Sequence, residues 1–163
     1  MLTAIATAAA IAFGTLWATD ESARELADLR ATLATDSEAE QAASRYALNV
    51  SEVHPTDIES WRTQLQKEVS QDLAPKLSAA VDVVGPWLTQ MEYTSTAKVL
   101  AAKVSGREQN LYTVQVFVDM TSKSRQTPDG VTATAAYTIT LDRDANWTIT
   151  DVGGVTPALP RGK

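Results

Sequence analysis

The stretch LYTVQVFVDM, residues 111–120, decides the fold. Its alternation puts Tyr112, Val114, Val116, Val118 and Met120 on one face and Thr113, Gln115 and Asp119 on the other. That is the period of a strand with one side in a core and one in water. Three more runs, residues 94–104, 131–141 and 147–152, share its Val, Thr, Ile and aromatic content and read as strands. The connections between the four runs carry turn residues: Ser105-Gly106 to Asn110, Pro128-Asp129-Gly130, and Asp142 to Asn146. Such short connections imply antiparallel hairpins, so about four strands form a meander.

Upstream of Tyr93 the period is helical. Residues 20–34, DESARELADLRATLA, space Leu26, Leu29 and Leu33 three and four apart among charges, an amphipathic helix. Its narrow leucine stripe suits either a short coiled-coil contact or packing on the chain's own domain. Thr35 to Glu38 fits a capping box, which predicts a fresh helix whose face is Ala39, Ala42, Ala43, Tyr46, Ala47 and Val50 and which ends before His54-Pro55. A further helix starts at Thr56 or Asp57 and buries Ile58, Trp61, Leu65 and Val69, with Arg62, Gln66 and Lys67 facing out. The last starts near Pro75 and carries Leu77, Val81, Val84 and Leu88 until Gly85-Pro86 kinks or ends it. Helices first and a meander afterwards define an α+β domain, with helices laid on one face of a curved antiparallel sheet. Residues 153–163 are expected to be a loose tail.

Residues 1–19, MLTAIATAAAIAFGTLWAT, contain no charged residue and no histidine. As a helix the run would be roughly 28 Å long, close to the hydrocarbon thickness of a bilayer, so it reads as a single membrane anchor. Ala6, Ala10, Gly14 and Ala18 recur every fourth residue and form a small-residue face on which another membrane helix could pack. A cleaved signal peptide is the competing reading, but no basic residue precedes the apolar run and Leu16 would occupy a small-residue position for a cut after Ala18. Flanking charge favours an N-in orientation with the domain on the extracytoplasmic side.

The net charge of −6 argues against nucleic acid as a partner, and the absence of cysteine excludes disulfides and a thiolate nucleophile. With a single histidine, no metal site and no cofactor are expected. Candidate acid–base groups are confined to Tyr46, Tyr93, Tyr112 and Asp119, whose spacing matches no motif. Asp142, Asp144 and Asp151 lack calcium-loop spacing and read as a hairpin tip. Tyr46, Trp61 and Trp87 are the candidates to line an apolar pocket for a hydrophobic ligand.

One anchor, the Ala-rich segment AEQAASRYAL (residues 39–48), two more helices and strands closing on LDRDANWTITDV (residues 141–152) together resemble the actinobacterial Mce-associated membrane proteins. The resemblance covers nearly the whole chain through element order. It implies an NTF2-like or cystatin-like domain and a non-enzymatic accessory role in lipid import, docked on a multispan permease or Mce-type transporter complex in the bilayer. Where that family usually has Gly before the Trp and a large apolar residue after it, this chain has Asn146 and Thr148. VirB8-like proteins of conjugation and secretion systems share the same plan, so a secretion-system scaffold is the alternative, and an extracytoplasmic binding protein for a hydrophobic ligand is another.

Overall fold

A computed structural model describes residues 2–156 of the chain, with side chains described over residues 21–154. The elements in order are α1 (Leu2–Ser51), α2 (Ile58–Leu65), α3 (Ala74–Gln90), β1 (Thr94–Glu108), β2 (Leu111–Lys123), β3 (Val131–Asp142) and β4 (Thr148–Thr156). They fall into two compact units, Met1–Ser37 and Glu38–Lys163.

The first unit holds the start of α1. Leu26, Leu29 and Leu33 line it as exposed side chains. The helix break expected at Thr35 does not occur: the Thr35 hydroxyl donates to the Ala31 carbonyl at 2.9 Å and leaves the backbone helical. Back-bonding of this kind competes with capping, and here it wins. Among the described residues no helix is long and apolar enough to cross a membrane. The expected anchor at residues 1–19, with its packing face of Ala6, Ala10, Gly14 and Ala18, lies outside the described side chains, as does the chain beyond residue 156.

The second unit is the α+β domain. Its sheet has the order β1-β2-β3-β4, and every neighbouring pair is antiparallel. Tyr112, Val114, Val116 and Val118 of β2 and Ala135, Tyr137, Ile139 and Leu141 of β3 form its buried face, as the alternation requires. Ala39, Ala42, Ala43, Tyr46 and Ala47 belong to the same core, each at most 3 % exposed. Four alanines on one helix face let the backbone lie close to the sheet, so contact between them fills the space that larger side chains would hold open.

Both sheet edges are covered where they meet the helices. Val53 pairs with Ser95 of β1, and the Glu40 carboxylate accepts from the Val104 amide at 3.2 Å. At the opposite edge Val69 pairs with Ile149 of β4. Capping the edge amides in this way removes templates for strand addition.

Two strand limits and one helix limit differ from expectation. β1 runs on to Glu108, because Ser105-Gly106 is a register shift within the ladder rather than a turn, and the hairpin is made by Gln109 and Asn110 alone. Residues 153–156 continue β4 instead of starting a tail. α3 passes through Pro86 to Gln90. Gly85, just before that proline, lies against α2, where an added Cβ would stand 3.1 Å from Ile58 Cγ2.

Candidate interaction surface

The aromatic residues expected to line one pocket are in three different places. Tyr46 is 1 % exposed in the core, and its hydroxyl donates to the Leu65 carbonyl at 3.2 Å. Burial pushes its pKa up to about 12. Trp61 is half-buried on α2 and donates from Nε1 to the Val50 carbonyl at 3.3 Å. Trp87 is 54 % exposed on α3, with its ring 6.3 Å from that of Tyr93. Tyr46 and Trp61 thus fasten α1 to α2, and Trp87 faces outward.

The acid–base candidates are not assembled either. Tyr112 is packed edge-on against Trp147 at 5.1 Å. Asp119 alternates onto the opposite face of β2 from that ring and accepts a hydrogen bond from the Thr134 hydroxyl at 2.9 Å. Asp142 is a turn former: its Oδ1 accepts from the Asp144 amide at 3.0 Å and from Asn110 Nδ2. Among the described residues no group of three or more His, Cys, Asp or Glu side chains is placed to hold a metal ion.

A groove of about 490 Å³ runs between α2 and α3 past Ile58, Val81, Asp82, Pro86 and Thr89. Arg62, expected to face solvent, reaches along it instead. It bonds Asp82 at 2.7 Å, Glu59 at 3.1 Å, and the Ser78 carbonyl and hydroxyl at 3.1 and 2.9 Å. The Asp82 carboxylate, ahead of Glu59, raises the Arg62 pKa still further. A guanidinium so fully engaged clips two helices together and has little left with which to recruit an anion.

Among its exposed residues α3 carries three large apolar side chains. Val83 is 77 % exposed, Val84 39 % and Trp87 54 %, and all three lie on one side of the helix. Large apolar side chains grouped in this way mark a contact surface more readily than scattered single residues do. Val84 was expected in the core, but the helix turns Val81 and Leu88 inward and leaves Val84 beside Val83. The readable signal was the surplus of large apolar residues in VDVVGPWL, residues 81–88, beyond what one buried stripe needs.

No family model matches the chain, and no curated protein matches it. Solved structures do. The chain is similar to CagV, a VirB8 homologue of the type IV secretion system of Helicobacter pylori, with a TM-score of 0.57 and 10 % identity over 76 % of this chain and 99 % of that one. It is similar to an IcmL-like type IV secretion system protein of Legionella pneumophila, with a TM-score of 0.60 and 10 % identity over 76 % and 94 %. It is also similar to the transfer protein TraH of the Gram-positive conjugative plasmid pIP501, with a TM-score of 0.56 and 14 % identity over 74 % and 93 %. At these identities the shared property is the fold: helices on a four-stranded antiparallel sheet.

These matches correct the lipid-import expectation. CagV and the IcmL-like protein come from type IV secretion systems and TraH from a conjugative plasmid, the alternative that the element order had left open. Both groups follow one plan of helices then meander, so element order could not separate them.

Proposed function

We propose that this chain is a non-enzymatic scaffold subunit of a conjugation-type or type IV secretion apparatus, with its α+β domain on the extracytoplasmic side of the cell membrane. The likeness of about three quarters of the chain to CagV, the IcmL-like protein and TraH carries the reading. Two features of the site support it. Asp119 lies on the face of β2 opposite to the core in which Tyr46 and Tyr112 are packed, and the outward Val83, Val84 and Trp87 of α3 offer a place for another subunit. Its partners would be other components of the apparatus, and the apolar run at residues 1–19 would hold it in the bilayer. The helix-on-sheet plan fits the NTF2-like, cystatin-like arrangement. Kinship with the Mce-associated proteins is a separate proposal about descent and carries no lipid-transport role.

Deleting the chain in its host and measuring transfer of DNA or protein to recipient cells tests this reading. Transfer is expected to fall and to return when the intact chain is supplied in trans. Unchanged transfer in the deletion strain would refute it.

A further inference from the structure

Among the described residues of the first unit, Leu26, Leu29 and Leu33 are the large apolar side chains that water reaches. Leu26 is 53 % exposed, Leu29 55 % and Leu33 58 %. Their three-then-four spacing places them at successive a, d and a positions of a heptad, a straight seam along one side of the helix. Ser22 and Asp36 occupy the flanking d positions, which limits the seam to the three leucines. In the same frame Glu25 falls at g and Arg30 at e.

Charge then selects the occupant and its direction. In a parallel pair of helices each g residue faces the e residue five positions further along the partner. Glu25 and Arg30 are five apart, so two copies of this helix in register place an acid against a base on both sides of the seam. The same register sets Leu26, Leu29 and Leu33 each against its own counterpart. An antiparallel pairing that matches Leu26 with Leu29 leaves Leu33 opposite Ser22 and sets Glu25 against Thr32 and Arg30 against Ala23. It loses a leucine pair and both ion pairs.

We propose that Leu26, Leu29 and Leu33 form the seam of a parallel, in-register two-stranded coiled coil with a second copy of this chain, flanked by reciprocal Glu25–Arg30 ion pairs. Three leucines per chain make a short seam, so the association is weak and reversible. Its strength depends on how closely the two copies are confined. This inference does not rest on the secretion reading and survives or fails independently of it.

The chain has no native cysteine, which makes the test clean. In the full chain in mild detergent, Leu29→Cys is expected to form a symmetric disulfide-linked dimer on oxidation. Arg24→Cys and Ala31→Cys, on the opposite side of the helix, are expected to remain largely unlinked. Glu25→Arg should reduce linking through Leu29→Cys, and adding Arg30→Glu should restore it. Leu29→Lys should raise the dimer dissociation constant at least about tenfold with an unchanged circular dichroism spectrum, because the site is exposed. Linking as strong at positions 24 and 31 as at 29 would overturn the proposal, as would no linking at 29 or no rescue by the double swap. A preference of Leu26→Cys for Leu29→Cys over self-pairing would show an antiparallel pair and overturn it too.

Discussion

The Ser51 hydroxyl lies 2.8 Å from the Tyr137 hydroxyl, both buried, joining the last residue of α1 to the middle of β3. Ser95 of β1 completes the link: its hydroxyl donates to the Ser51 carbonyl at 2.7 Å and accepts from the Val53 amide at 3.2 Å. A carbonyl at a helix C-terminus has no partner within the helix, so the sheet supplies it. Ser95→Ala strands one buried acceptor and one buried donor, and is expected to cost about 1–3 kcal/mol. Ser51→Ala leaves the Tyr137 hydroxyl still 3.8 Å from Met120 Sδ and should cost less, about 1 kcal/mol. Urea unfolding of both variants checks the order.

Ala43 is fully buried between α1 and the sheet. If the interior is packed as tightly as this implies, Ala43→Leu must push the helix off the sheet and should cost about 1–3 kcal/mol. A domain built around a hydrophobic-ligand cavity would absorb the larger side chain with little loss. The unfolding midpoint of this variant therefore separates a filled core from a binding pocket.

Alkaline pH should weaken the fold through Tyr46. Burial raises its folded pKa from about 10 to about 12, so the folded chain holds that proton more tightly than the unfolded chain does. The contribution is intact below pH 10 and is lost as pH climbs towards 12. Tyr137 shifts in the same direction, first by burial, against the opposing bond from Ser51. The denaturation midpoint is expected to drop between pH 10.0 and about 12, and to drop less in Tyr46→Phe. Equal losses in the two proteins would show that Tyr46 is not the cause.

Asn146 and Trp147 both sit at positive φ, 55° and 61°, in the turn before β4. Asparagine tolerates that conformation, whereas tryptophan does so only under constraint, here the edge-on packing of its ring on Tyr112. The departure from Gly at position 146 is therefore a small one in backbone terms. Asn146→Gly should leave stability within about 0.5 kcal/mol, while Asn146→Val should cost about 1–2 kcal/mol. Thermal melts of the pair check this.

What could be read from the chain was whatever periodicity and turn chemistry carry. The alternation in residues 111–120 located the buried face of β2, and the alanine spacing from Ala39 to Ala47 located the helix face laid on it. A cap of α2 at Thr56 or Asp57 was legible for the same local reason, and the structure uses Asp57, whose carboxylate accepts from the Ser60 amide at 3.1 Å. Thr35 was misread because a hydroxyl with a good local partner in the helix looks the same in sequence as a cap. Contacts between residues remote in the chain had no local signal at all. The Tyr137–Ser51–Ser95 link, the Arg62 clip to α3 and the Glu40 carboxylate on the β1 edge are of that kind. The outward face of α3 was legible only as a surplus of apolar residues in residues 81–88, since Val84 and Trp87 look the same in sequence whether they face the core or another protein.

The scaffold reading is tested most directly by purifying the tagged full chain from its native membranes and identifying what comes with it by mass spectrometry. Co-purification with the ATPases and channel components of a conjugation or secretion apparatus is the predicted result. Recovery with the subunits of a lipid importer, or with no partner, would contradict it.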